Sequence, residues 1–301
     1  MISNTASLSN TKTQKKTDGW YADYFELVKP RLLSMVLLST AVGFYLAPMG
    51  SSLYTFILTI CATALVGGGA MALNEYWERE SDAKMFRTQN RPIPSGRIQS
   101  TRALIFGLTI SAIGFLLFAV RINWASACFA FATSVSYLLI YTPLKKITSL
   151  ATFAGAISGA LPPLIGWFAA GGAINYQALS LFLILFFWQL PHFLAIDWMY
   201  RSDYARAGFR TLSVIDSQGT MVARQMVVNM SALFCVSLLP TLFLLTGSIY
   251  FIGVFILGIC FSAAIVHALP NLNERAKYVL RASVIYLAAV FILMAVDKVR
   301  W

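Results

Sequence analysis

The sequence predicts an all-α, polytopic membrane protein that crosses the bilayer about nine times and keeps its N-terminus in the cytoplasm. Three observations carry this reading. Of 301 residues, 58% are hydrophobic and 12% charged, and the mean hydropathy of +0.70 lies beyond the range of soluble globular domains. Apolar windows of about 20 residues, enough to span a hydrocarbon core, recur nine times along the chain. The charged residues fall between those windows, and the basic ones gather on alternate loops.

The chain opens on "MISNTASLSNTKTQKKTDGW", which lacks the apolar core and small-residue cleavage site of a secretory signal. Residues 1–24 are expected to form a disordered cytoplasmic tail and residues 25–301 a single transmembrane domain. The first two windows, 31–47 and 53–73, precede a dense run of charge, and two more follow at 103–120 and 124–142. The fifth, 150–171, holds Gly155 and Gly159, a small-xxx-small pair that allows close helix packing, and Pro162 with Pro163, which should kink it. Windows at 178–196, 226–246, 248–268 and 282–297 complete the set. Cys61, Cys128, Cys235 and Cys260 stand singly inside windows, so they read as packing or lipid-facing residues rather than as disulfide or metal ligands.

With a cytoplasmic N-terminus, 20 of the 23 Lys and Arg residues lie on the cytoplasmic side, leaving Arg121, Lys298 and Arg300 across the membrane. This is the positive-inside asymmetry. The net charge of +11 is therefore spread over short loops and excludes a nucleic-acid footprint, which needs a concentrated basic helix or patch. Eleven of the twelve acids share that side, although acids hardly influence insertion. Chemistry at the membrane face is a better reason for them.

The stretch "NEYWERESDAKMFRTQNRPIPSGR", residues 74–97, is where the acids concentrate. Asn74, Glu78 and Asp82 follow at four-residue intervals, which on a helix sets three oxygen-bearing side chains along one face. Such oxygens suit Mg²⁺, which completes its shell from water and substrate phosphate. Lys84, Arg87 and Arg91 come next and could grip phosphate oxygens, in a loop stiffened by Pro92 and Pro94. The blander reading is a ring of i,i+4 pairs, such as Glu75 with Arg79, at a helix end.

A similar layout recurs at "FFWQLPHFLAIDWMYRSDYARAG", residues 186–208. Asp197 and Asp203 are six apart and so off one helical face, which places Asp203 in a break or loop. Two acid sites at equivalent places are consistent with two metal ions on one diphosphate. The third stretch, "YTPLKKITSLATFAGAISGALPPLIGW", residues 141–167, adds Lys145 and Lys146 in a short turn. They read equally as topogenic charges.

These stretches resemble the motifs of the protohaem IX farnesyltransferases, or haem O synthases, a branch of the UbiA-type intramembrane prenyltransferases. The resemblance runs from about residue 25 to the end. It implies the UbiA-type prenyltransferase fold with a cavity near the cytoplasmic face of a cell inner membrane, and transfer of the farnesyl group of farnesyl diphosphate to the vinyl group of haem b, giving haem O. It implies Mg²⁺ as cofactor, the lipid bilayer and both substrates as partners, and a downstream enzyme that uses haem O. Carried onto this chain, the catalytic and metal-binding set is Asn74, Glu78, Asp82 and Asp203, with Asp197 a weaker ligand candidate. Lys84, Arg87, Arg91 and Lys145 fall on the diphosphate-binding positions, and Tyr204 matches beside Asp203. Glu78 stands where Asp is common, and Ser202 where an acid is common.

The chemistry needs these residue types. Departing diphosphate carries several negative charges to be neutralised, and the allylic cation must be kept from bulk water. Met71, Trp77, Phe131, Tyr137 and Trp188 are candidates for the apolar wall. His192, beside Pro191, is a candidate to ligate or orient haem iron together with Trp188, or else a hydrogen-bonded histidine at a helix end; His267 is a weaker candidate. Two rivals stay open. A transporter should gather its polar residues near the midplane, unlike this chain, and a prenyltransferase for a quinone precursor or other aromatic acceptor would share the first motif. The tail holds no arginine and makes a poor transit peptide, which favours a bacterial over a mitochondrial inner membrane.

Overall fold

The computed structural model describes residues 19–48 and 52–299. The expected tail lies largely outside the described residues, but its last part does not. Gly19–Leu27 is helical, and Asp23 within it is buried and paired with Arg97. The boundary at residue 24 is thus too late, because the tail composition hid a short helix tied down from a distant loop.

Helices account for nearly all the rest. Several start at polar caps just ahead of the apolar windows: Ser52 Oγ accepts from Thr55 N at 3.2 Å, Asn123 Oδ1 from Ser126 N at 2.8 Å and Asn175 Oδ1 from Ala178 N at 2.9 Å. Seven helices among the described residues are long and apolar enough to cross a membrane, and an eighth if Tyr21–Leu27 and Pro30–Leu46, bent by 55°, form one span. One of the seven, Ser248–Val296, runs for 49 residues but folds back on itself. Phe261 packs on Tyr286 with ring centroids 5.4 Å apart, and Tyr250 N donates to Asp297 Oδ2 at 2.7 Å, so the segment is an antiparallel hairpin that crosses twice. The nine crossings expected are thus approximate: the described residues hold seven candidate spans, or eight with the bent pair, and one of them is this hairpin. The chain is a multi-pass membrane protein.

Leu53–Asp82 is the longest unbroken helix, 30 residues, or about 45 Å against a core of about 30 Å. Nothing in its sequence stops it at Leu73, so the 74–82 acids continue the helix out of the membrane. Ser100–Leu117 packs antiparallel beside it through small residues. A Cβ on Gly107 would meet Leu73 at 2.8 Å, and one on Gly114 would meet Ala62 O at 2.9 Å. The fifth window breaks at the expected prolines into Ala151–Ala160 and Pro162–Ala169. Trp124–Val135 continues as a π-helical stretch, Ser136–Tyr141, before the turn that bears Lys145.

The main core lies among Tyr176–Met199, Thr220–Ser237 and the terminal hairpin, with Trp167, Tyr250 and Tyr286 fully buried. Apolar residues such as Ile57, Leu108 and Ile285 face outward, as do all four cysteines, the pattern of a lipid-facing surface. Trp77 and Phe131 join them at 53% and 60% exposure, so they do not wall a cavity.

The bundle has two distinct ends. At one, Arg97 bonds Asp23 and Glu26, Arg210 N donates to Lys145 O at 2.7 Å, and Arg201 Nη1 donates to Asn273 Oδ1 at 2.7 Å. At the other, Lys298 Nζ donates to Ala47 O at 3.0 Å and Gln177 Nε2 to Phe243 O at 2.9 Å.

Candidate active site

Asn74, Glu78 and Asp82 are all buried on one face of Leu53–Asp82, and each is met by a cation from elsewhere in the chain. Lys29 Nζ donates to Asn74 Oδ1 at 2.9 Å, Lys145 Nζ to Glu78 Oε1 at 2.8 Å, and Arg91 Nη1 to Asp82 Oδ2 at 2.7 Å. Asn74 Nδ2 donates to Thr142 Oγ1 at 3.1 Å, which ties the motif helix to the turn before Lys145.

The loop after Asp82 folds back onto the helix that precedes it. Thr88 Oγ1 donates to Asp82 O at 2.9 Å, and Ile93 N donates to Glu75 Oε1 at 3.1 Å. Pro92 and Pro94 limit the backbone between these anchors, so Arg91 is delivered to Asp82 by a stiff strap. Glu75 serves this strap and not the i,i+4 pair with Arg79 that the blander reading offered. Arg79 donates instead to Tyr76 O at 2.8 Å and covers the Tyr76 ring.

Asp203 does stand after a helix break, in the short Arg201–Arg206 helix. Its carboxylate accepts from Arg87 N at 3.2 Å and from the Arg206 guanidinium, so it fastens the first charged loop to the second. The Arg87 guanidinium lies over the Tyr200 ring, 5.1 Å from its centroid. Lys84 is exposed and its ammonium has no hydrogen-bond or ion-pair partner among the described residues, so it is not tied to the motif face. Asp197 is buried in Tyr176–Met199, with Oδ2 lacking a hydrogen bond.

Burial opposes the charge of Lys145, but the Glu78 carboxylate outweighs it and holds the ammonium pKa above its usual value. Arg91 behaves likewise: burial acts against it, and Asp82 more than compensates. Burial pushes the Tyr204 phenol up to about 12, so it stays neutral. Lys145 also sits 4.4 Å from the Tyr141 ring centroid, with Tyr137 stacked beyond.

A hard cation fits this face in part. Asp82 Oδ1 is buried and accepts no hydrogen bond among the described residues, which leaves an open acceptor on the motif face. Among the described residues no three His, Cys, Asp or Glu side chains stand close enough to hold an ion between them, so Asp203 is not gathered with Glu78 and Asp82 into the expected four-ligand set. Few protein oxygens, with water and phosphate supplying the rest, is a Mg²⁺ arrangement.

A second polar cluster lies inside the bundle. His192 Nδ1 shares a hydrogen bond of 2.8 Å with Ser283 Oγ, the imidazole stacks on Trp188 at 4.9 Å, and Trp188 Nε1 donates to Ser283 O at 2.6 Å. His267 is exposed against Tyr278. Three contributors escaped the sequence reading: Lys29, Thr142 and Ser283. Only Lys29, a charge at the head of the first window, left a visible signal.

The profile of the UbiA prenyltransferase family matches residues 36–295. A relative from Solibacter usitatus (strain Ellin6076), named protoheme IX farnesyltransferase, is 43% identical over 92% of this chain and 98% of its own. Another of that name, from Salinibacter ruber, is 40% identical over 91% and 98%. Among solved structures, a UbiA homologue from Archaeoglobus fulgidus bound to GPP and Mg²⁺ aligns over 91% of this chain and 99% of that one, with a TM-score of 0.66 and 15% identity. That likeness carries the fold alone.

Proposed function

As a member of the UbiA prenyltransferase family, within its protohaem IX farnesyltransferase branch, this chain, we propose, transfers the farnesyl group of farnesyl diphosphate to a vinyl group of haem b, giving haem O. The observation that carries the reading is the face on which Asn74, Glu78 and Asp82 lie buried against basic side chains from three other parts of the chain. Isolated charges at a membrane edge would not be sequestered in this way.

The farnesyl carbon–oxygen bond breaks as the terminal vinyl carbon forms its new bond, diphosphate departs with the electron pair, and the cation left on the inner vinyl carbon takes up water and releases a proton, which gives the hydroxyl of haem O. Asn74, Glu78 and Asp82 are the residues that would hold Mg²⁺, which when bound would supply charge neutralisation on the leaving oxygens, while Asp203 fastens the two charged loops beside them. Lys145 and Arg91, already drawn in by the acids, add charge-assisted donors at the same end. Arg87 stands further out, stacked on Tyr200, where it can close over the diphosphate. Buried Met71 and half-buried Tyr137 keep water from the farnesyl chain. His192, with Nδ1 fixed by Ser283 and its ring against Trp188, offers Nε2 to haem. The polar end belongs at the cytoplasmic face of a bacterial inner membrane, where 20 of 23 basic residues would gather. Haem O released there would pass to an enzyme that uses it.

The test is direct. Purified protein in lipid, given Mg²⁺, farnesyl diphosphate and haem b, should form a product with the mass of haem O. Prenylation of an aromatic acid with haem b untouched would move the assignment to the other acceptor class.

A further inference from the structure

Seven described residues have positive φ, and five of them are glycines. Lys29 is one of the two that are not, at φ 50° and ψ 64°. A side chain in this left-handed region is strained, and the proline that follows further restricts the residue before it. Glycine would sit there freely. The position is the hinge between Gly19–Leu27 and Pro30–Leu46, where the axis bends by 55°. Strain of this kind persists where the surroundings hold it, and an observed outlier is a fair starting point for a role.

The second observation is the partnership. Lys145 and Arg91 each touch a carboxylate, but Lys29 does not. Its one hydrogen-bond partner among the described residues is the neutral amide oxygen of Asn74; Glu75, which accepts from Ile93 N, and Glu78 and Asp82 attract it only from beyond contact. An ammonium has three donors, so two of Lys29 are unused. A half-buried cation without an anion in contact is costly to keep. An anionic ligand would supply the missing partner.

We propose that Lys29 is a diphosphate-binding residue, bent into the site by its strained hinge and bridging the Asn74 amide to an oxygen of the prenyl diphosphate. The inference rests on the farnesyl-transfer reading but names a residue which that reading does not use. Asn74 then has two duties: it faces the metal position and steadies the ammonium.

Two substitutions test this. Lys29→Gly removes the ammonium and suits the left-handed backbone, and Lys29→Arg restores a cation. The probe is inorganic pyrophosphate with Mg²⁺, its binding measured on purified full-length protein in detergent beside the melting temperature. Lys29→Gly should melt no lower than wild type yet bind pyrophosphate at least about tenfold more weakly, with KM for farnesyl diphosphate raised in step. Lys29→Arg should recover most of that loss. Wild-type pyrophosphate affinity in Lys29→Gly, or weakening that only accompanies a lower melting temperature, overturns the proposal. A wild-type protein that binds pyrophosphate but leaves haem b unchanged sinks the farnesyl-transfer reading and leaves the Lys29 result standing.

Discussion

At the scale of single residues, the basic side chains of the first loop divide by what they touch. Arg91 is bonded to a fully buried carboxylate, while the exposed Lys84 ammonium has no polar partner among the described residues. Arg91→Gln should slow farnesyl transfer about ten- to a hundredfold, the worth of one charge-assisted contact. It should also destabilise the fold by several kcal/mol, about 3–5 for a buried pair broken on one side. Lys84→Gln should do neither. Rates in membranes at matched protein levels, with thermal melts, check both, and equal rates in the two variants would reduce the loop to a topology signal. Lys145→Gln should resemble Arg91→Gln. Because Glu78 raises the Lys145 pKa, its contribution is fully present below the unfolded value of about 10.4 and is lost only as pH rises through the higher folded value. A pH–rate profile between about pH 6 and 9 should therefore show no decline from this group. His192→Ala should weaken haem binding, read as loss of a Soret shift on titration, with little change in pyrophosphate affinity. What the sequence made legible here was the i, i+4, i+8 row and the basic residues after it. What it hid were partners distant in the chain: Ser283 lies 91 residues from His192, and Lys29 lies 45 from Asn74.

At the scale of elements, the site depends on how closely three helices approach. A Cβ on Gly155 would lie 2.8 Å from the Tyr141 ring, and that ring underlies the Lys145 ammonium. Gly155→Ala should push Tyr141 aside and lower the rate, while Gly43→Ala, whose Cβ would strike the Pro163 backbone, should chiefly lower the melting temperature. Equal losses of rate relative to stability in both would remove the link between the helix crossing and the site. The Ser136–Tyr141 π segment is the least legible element. A π turn and an α turn share one apolar pattern; here the π segment carries Tyr141 under Lys145 and Tyr137 stacked on Tyr141. The prolines at 162–163 were legible because a pair of missing N–H groups suits the first turn of a new helix, whereas the single Pro191 is carried inside Tyr176–Met199. The second apolar window ends at Leu73 while the helix runs on to Asp82, as the four-residue spacing of Asn74, Glu78 and Asp82 expects. Hydropathy registers the membrane boundary, whereas the Leu53–Asp82 helix continues on its own hydrogen bonds.

For the whole molecule, the folded chain joins observations that hydropathy could only assign to alternate loops. Arg97 with Asp23 and Glu26, Arg87 with Asp203, Arg210 with Lys145 and Arg201 with Asn273 knit the N-terminal helix and the segments after four different crossings into one polar cap. At the other end Lys298 closes over the carbonyl end of Pro30–Leu46. The two ends are thus chemically unlike, and one topology must hold for all the loops together. Labelling decides it. In a background with Cys61, Cys128, Cys235 and Cys260 replaced, all of which face outward and should tolerate Ser or Ala, single cysteines at Ser95 and Ser217 should react only with a reagent admitted to the cytoplasm. One at Asn175 should react only from outside. Ser51 falls outside the described residues, which leaves Asn175 as the external reporter. The expected pattern follows from charge as well as geometry, since reversing the protein would carry 20 of 23 basic residues across the membrane. Labelling of Ser95 and Asn175 from one side would overturn the number of crossings between them. Labelling of both from the sides opposite to those expected would keep the fold and move the diphosphate site to the outer face.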